Sequence, residues 1–277
     1  MMAGRVLRRP RMVSRTASAL LVVILFLLPV LYVVMMAFES PAHFLRSPMV
    51  PPTSPVLSNF SQAWTQADLA PELVNTVLYA VVAAAVTTLL SVLIAFPLAR
   101  RLVRGTSALY GLIFVGLFLP FAIIPLFVEA RMLDLYNNRI GYILLHVEQG
   151  LPLGVLLMTA FISSIPAELD EVAWMEGIGY LSYIMRVIVP LTRPALLIAF
   201  LYALLNVWND IIGPVVLLAS SNLFPVTKGI YTFFGANESQ YTLLAAGVVI
   251  VSLPVVLLFA ASQRQLMRGT TLGSVKG

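Results

Sequence analysis

The residues able to do chemistry in this chain are gathered into a few polar clusters between long apolar runs. Glu168, Asp170, Glu171 and Glu176 crowd one stretch, with Gly177 and Gly179 close behind. His146, Glu148 and Gln149 lie inside an apolar segment, and Asn206, Trp208, Asn209 and Asp210 close another. Carboxylates, amides and an indole so placed suit hydrogen bonding to, and stacking on, a hydroxyl-rich solute. An ionisable group deep in an apolar span is by default a candidate for function. Metal and nucleophile chemistry is disfavoured, because His43 and His146 stand far apart and cysteine is absent. No metal site is expected.

The elements that must hold these clusters follow from composition. Of 277 residues, 60% are hydrophobic and 10% charged, whereas a soluble domain carries about 25% charged residues. Most of the surface therefore faces lipid. The net charge of +5 is dispersed along an apolar chain, which fits membrane topology and not nucleic acid binding. Hydropathy predicts six spans, at Ala17–Phe38, Leu73–Ala99, Ser107–Val128, Ile140–Ile165, Val187–Ile212 and Tyr241–Ala261, each near the ~20 residues that cross a bilayer. Barrel-type alternation is missing and unpaired backbone is costly in lipid, so the expected fold is an all-α polytopic membrane protein.

Basic residues set the orientation. Arg5, Arg8, Arg9, Arg11, Arg15, Arg100, Arg101, Arg104, Arg186, Arg193, Arg264, Arg268 and Lys276 fall on one side of the predicted topology. Only Arg46, Arg131, Arg139 and Lys228 fall on the other. Both termini are expected to be cytoplasmic, with tails over 1–16 and 262–277 flanking a transmembrane domain over 17–261. An alternative for the N-terminus is a cleaved signal peptide. The apolar run there is longer than a signal core of ~7–15 residues, which favours an uncleaved helix.

The acidic stretch lies in a loop over 166–190 between spans four and five. Ser164, Pro166 and the early acids predict a helix start there. Leu169, Val172, Ala173 and Glu176 are expected to share one face, and Gly177 and Gly179 to end the helix. An ordinary solvated loop is one reading. Apolar Leu169, Trp174, Met175, Ile178 and Tyr180 rimmed by charge suggest an interface instead.

At this point the sequence resembles a known family. IPAELDEVAWMEG followed by VIVPLTRPAL is similar to the EAA loop of ABC importer permeases, which places a Gly six residues after the Glu and a Pro thirteen after the Gly. Glu171, Ala173, Gly177 and Pro190 occupy those positions; Val172 stands for the usual Ala, Glu176 for Asp and Ile178 for a small residue. Asn59-Phe60 with Trp64, Asn75-Thr76, Ala95–Arg100, Trp208-Asn209-Asp210 and the tail RQLMRGTTLGSVKG extend the resemblance to the maltose-permease-like small subunit of carbohydrate uptake systems.

The resemblance implies six transmembrane helices with a cytoplasmic coupling helix, in a bacterial or archaeal cytoplasmic membrane. It implies a dimer of ATPase subunits, a second permease of different sequence and an extracytoplasmic sugar-binding protein as partners. Glu171, Ala173, Glu176, Gly177 and Pro190 would serve coupling. The chain is not expected to be an enzyme or to bind a cofactor. Its two lysines follow Thr227 and Val275, so it has no Gly-Lys-Ser/Thr phosphate loop, and ATP and Mg²⁺ belong to the partner ATPase.

Candidate solute contacts are His146, Glu148, Gln149, Asn206, Trp208, Asn209 and Asp210. Glu148 lies either roughly 12 Å into its span, at 1.5 Å per residue, or at the external interface if the span starts near Leu151. Trp208 either stacks on a sugar ring or anchors at the interface. A proton-coupled secondary transporter using Glu148 and His146 is the alternative function, though it leaves the Glu171 loop without a role.

Overall fold

The computed structural model describes residues 10–119, 122–235 and 240–273, with side chains described for Ser18, 20–119, 122–235 and 240–263. Arg5, Arg8, Arg9 and Lys276 of the tails lie outside the described residues, as do the side chains of Arg11, Arg15, Arg264 and Arg268. Among the described residues every regular element is helical. In chain order they are α1 (Pro10–Ala37), α2 (Pro41–Arg46), α3 (Ser58–Gln66), α4 (Leu69–Ala99), α5 (Thr106–Gly116), α6 (Ile123–Met132), α7 (Arg139–Ser163), α8 (Glu168–Met175) and α9 (Tyr180–Tyr183). A π turn over Ile184–Ile188 leads to α10 (Val189–Leu191), α11 (Arg193–Trp208), α12 (Ile212–Leu217), α13 (Val226–Ile230) and α14 (Tyr241–Gly273).

Four of these are long and apolar enough to cross a membrane: Leu20–Ala37 of α1, then α4, α7 and Tyr241–Gln263 of α14. The segments Tyr180–Leu191 and Arg193–Trp208 form a fifth if their 87° bend falls within one crossing. Proline explains the bend. Pro190 and Pro194 lack the N–H that continues a helix, the π turn lies just before Pro190, and the Thr192 hydroxyl donates to the Ile188 carbonyl at 2.8 Å. The single span expected over 107–128 is two shorter helices, α5 and α6, in a stretch where Pro120 and Pro125 disfavour a continuous helix.

The chain divides into two compact units. One holds the described residues up to Ala67 and Ile230–Leu253; the other holds Asp68–Gly229 and the described residues from Pro254. Within the first, Asn59 of α3 is buried and donates to the carbonyls of Ala37 and Glu39 at 2.9 and 2.8 Å, closing the open end of α1. Phe60 packs on Phe38 with ring centroids 5.0 Å apart.

The second unit is built on α4, which packs along α7 and α11. Small residues allow the approach. A Cβ on Gly154 would collide with the Ser91 Oγ, and one on Gly150 would meet the Thr87 Cγ2 at 2.9 Å. Gly150 and Gly154 therefore form a small-xxx-small face on α7 against Thr87 and Ser91 of α4, the pattern that lets helices approach closely in lipid. Below this crossing, Val92, Phe96, Met158, Ile162, Tyr183, Ile184 and Ile188 bury together as a core.

Candidate functional site

The loop after α7 forms a short amphipathic helix, α8, whose end is set by glycine. Gly177 takes φ 70°. Its N–H donates to the Trp174 carbonyl at 3.1 Å, and that of Ile178 donates to the Ala173 carbonyl at 3.0 Å. These are the two bonds of a Schellman closure, and Ala173 and Ile178 also join one apolar cluster. The start is plainer than expected. The Ser164 hydroxyl donates to Phe161 O at 2.7 Å and so closes α7, leaving α8 with no side-chain cap but with Glu168, Asp170 and Glu171 in its first turn, where acids favour the helix dipole.

The face expected to unite Leu169, Val172, Ala173 and Glu176 is split. Asp170 and Ala173, three apart, turn inward and are buried. Leu169, Val172, Trp174 and Met175 remain 42%, 52%, 46% and 79% exposed, beside exposed Glu168, Glu171 and Glu176. The result is an outer surface where Leu169, Val172 and Met175 stand exposed among carboxylates, with Trp174 to one side, its ring near Tyr183. Pro190 is half-buried in α10.

An ion pair with no signal in the sequence fixes this helix. Arg100, at the C-cap of α4, places Nε 2.6 Å from Asp170 Oδ2 and donates from Nη2 to Oδ1 at 3.1 Å. Its Nη1 donates to the Ile165 carbonyl at 2.9 Å. The Tyr183 hydroxyl donates to Asp170 Oδ1 at 2.5 Å, and the Tyr183 ring lies 5.8 Å from Phe96 and 5.9 Å from Trp174. Asp170 reads in sequence as one more early-turn acid, and Arg100 as one more topology charge. Only their joining reveals the node.

The candidate solute contacts divide into two groups. His146 is 3% exposed and its Nε2 lies 3.1 Å from Asp210 Oδ2; the Tyr142 hydroxyl donates to the same oxygen at 3.1 Å. Asp210 Oδ1 accepts the N–H groups of Ile212 and Gly213 at 3.1 and 2.9 Å, satisfying two orphan donors at the start of α12. Gly213 lets the Asp210 carboxylate sit this close, since a Cβ would displace its Oδ2. Lys228 closes the other end of α12, donating to the carbonyls of Pro214 and Leu218 at 3.2 and 2.6 Å and lying 3.6 Å over the Phe224 ring. Burial lowers the Lys228 pKa, opposed by the charge of Glu72.

Glu148 points elsewhere. It is exposed in an apolar groove with Ile94, Ile113, Leu144 and Leu151. His146 and Glu148 thus leave α7 in different directions and are not joined as a relay. Trp208 is 7% exposed, buried in the unit and not displayed as an anchor. Asn206 and Gln149 are half-buried, and Asn209 is exposed.

Comparison with known proteins agrees with this architecture. Residues 88–271 match the model of the binding-protein-dependent transport system inner membrane component family. The chain is 28% identical over 272 residues to the diacetylchitobiose uptake system permease protein NgcG of Streptomyces coelicolor, covering 96% of this chain and 90% of that one. It is 30% identical over 222 residues to the melibiose/raffinose/stachyose import permease protein MelC of Bacillus subtilis, with 79% and 80% covered. Its fold is similar to a chain in the crystal structure of a bacterial ABC transporter importing the acidic polysaccharide alginate, with TM-score 0.77 and 22% identity over 95% of this chain and 99% of that one. Because the family match takes in more than half of its length, the chain belongs to the binding-protein-dependent transport system inner membrane components, the permease subunits of ABC importers.

Proposed function

We propose that this chain imports a sugar or sugar derivative by alternating access, driven by a separate ATPase. The carrying observation is α8, which holds Leu169, Val172, Trp174 and Met175 exposed beside acids while its inner face is fixed by Arg100 and Tyr183. A short helix rigid on one side and uncovered on the other suits docking into a groove of an ATPase. In this reading α8 is a cytoplasmic coupling helix, with Glu171 on it and Gly177 at its end as the central docking positions, and with Ala173, Glu176 and Pro190 shaping the loop. Closure of an ATPase dimer bearing ATP and Mg²⁺ rocks α4, α7 and α11. Six crossings, with α5 and α6 completing the third and the bent α9–α11 segment the fifth, put both termini in the cytoplasm of a bacterial or archaeal cell.

Sugar as cargo is supported by the relatives named for diacetylchitobiose and for melibiose, raffinose and stachyose, and by one named for sulfoquinovosyl glycerol. The expected partners are an extracytoplasmic sugar-binding protein and a second, different permease. The test is gentle purification of the tagged chain from its native membrane, with mass spectrometry of what accompanies it. A phosphate-loop ATPase and a second polytopic chain are expected, and any binding protein recovered is screened for its sugar. A stable crosslinked complex with no ATPase would overturn the proposal.

A further inference from the structure

The Arg100–Asp170 pair is not required to make α8 a helix. The Schellman closure at Gly177 and the packing of Ala173 and Ile178 already do that. Both side chains of the pair are nearly buried, at 10% and 12% exposed, and a buried ion pair commonly stabilises no more than an apolar pair of like volume. Its distinguishing property is direction. The guanidinium hydrogen-bonds Asp170 Oδ1 and the Ile165 carbonyl and stands in ion contact with Oδ2, and its planar donors hold distance and orientation together, whereas apolar contacts slide. Here the carboxylate belongs to α8, the guanidinium to the end of α4, the carbonyl of Ile165 to the turn after α7, and the hydroxyl of Tyr183 to α9. Four segments meet at one ion pair.

We propose that Arg100, Asp170 and Tyr183 form a transmission clamp that ties the coupling helix to α4 and to the α9–α11 arm, so that displacement of α8 moves the translocating helices as one body. This rests on the reading of α8 as the ATPase-docking helix. The clamp residues are positioning residues: they do not meet the ATPase, and they set how much of its stroke reaches the membrane.

The test uses the full importer in proteoliposomes, measuring ATPase retention, hydrolysis stimulated by loaded binding protein, and uptake per ATP. Asp170→Asn is expected to keep the ATPase bound and hydrolysis within about twofold of wild type, while uptake per ATP falls about fivefold or more. Tyr183→Phe, which removes one hydroxyl and leaves the pair, lowers that ratio about twofold and keeps the test open if Asp170→Asn fails to fold. The chain has no cysteine, so Arg100→Cys with Asp170→Cys can be bridged by a short bifunctional thiol reagent in a complex whose partners are cysteine-free. Bridging is expected to restore uptake per ATP. Wild-type ratios in both single variants, or a lowered ratio that bridging leaves unchanged, overturn the clamp while leaving the docking reading intact. Loss of the ATPase from all variants also overturns it, by placing the pair in docking and not in transmission. A wild-type complex that contains no ATPase removes the docking reading and the clamp together.

Discussion

The α8 and α12 regions of the second unit are built alike and used differently. Each is organised by one acid near the start of a short helix: Asp170 gathers Arg100 and Tyr183, and Asp210 gathers His146, Tyr142 and two backbone N–H groups. At α12 the side-chain partners His146 and Tyr142 are buried, and Asp210 and Lys228 satisfy the helix ends. At α8 the acid turns inward while four large apolar side chains stay uncovered. The same device thus makes a closed corner in one place and a mounted surface in the other. Of Trp208-Asn209-Asp210, it is Asp210 that builds the turn into α12.

The two regions share a frame, the α4–α7 crossing, and its loss has the largest expected effect. Gly154→Leu drives a side chain into Ser91, whose Oγ already leaves no room for a bare Cβ. Overpacking of this kind costs about 1–3 kcal/mol or more, and here the Ser91 Cβ stands behind the hydroxyl at 3.2 Å, so turning the hydroxyl away does not make room for a leucine. The expected result is no monodisperse protein in size-exclusion chromatography. Gly179→Leu, where an added Cβ meets nothing within 4 Å, should elute as wild type.

Asp210→Ala comes next. It removes the acceptor for Ile212, Gly213 and Tyr142 and leaves His146 without its carboxylate. Breaking such a buried set costs about 3 kcal/mol, so the midpoint of thermal unfolding in detergent should fall by several degrees. An unchanged midpoint would remove the structural assignment and return Asp210 to the candidate solute contacts.

Variants on the mounted surface should show the opposite pattern. Gly177→Arg puts a side chain at a positive φ, costing about 1–2 kcal/mol, and it projects a cation from the exposed end of α8. Glu171→Lys reverses an exposed charge. Both are expected to keep the fold, with a smaller thermal shift than Asp210→Ala, and to lose uptake and bound ATPase. If uptake stays normal in either variant, the contrast between closed corner and mounted surface fails.

How much of this is legible without the structure differs by kind of signal. The helical class, the long spans and the glycine-ended helix at 168–177 are written in local patterns, because hydropathy and positive φ are properties of short segments. The joining of Arg100 to Asp170, seventy residues apart, has no local trace; each residue satisfies a simpler rule by itself. The face of α8 departs from expectation for a related reason. Helical spacing groups Leu169, Val172 and Ala173, but whether a side chain turns in or out depends on the neighbour, and Asp170 has a cation waiting for it. Gly150 and Gly154 are legible as a small-xxx-small pair and only need the right spacing read. The break between α5 and α6 follows from prolines that hydropathy averages away.

Glu148→Gln has the smallest expected effect on stability, since Glu148 belongs to neither region. Its carboxyl lies in a groove of Ile94, Ile113, Leu144 and Leu151 and makes no hydrogen bond or ion pair with another described side chain. Neutralising it should therefore leave thermal stability within about 0.5 kcal/mol of wild type, the range of changes away from packed or paired sites. Uptake then becomes the informative reading, because stability is held constant. A carboxylate kept in apolar surroundings for the sake of a passing solute predicts an altered substrate range or a raised KM in uptake assays. Unchanged uptake and range would leave Glu148 as a bystander on α7 and place the solute pathway along other faces of the permease.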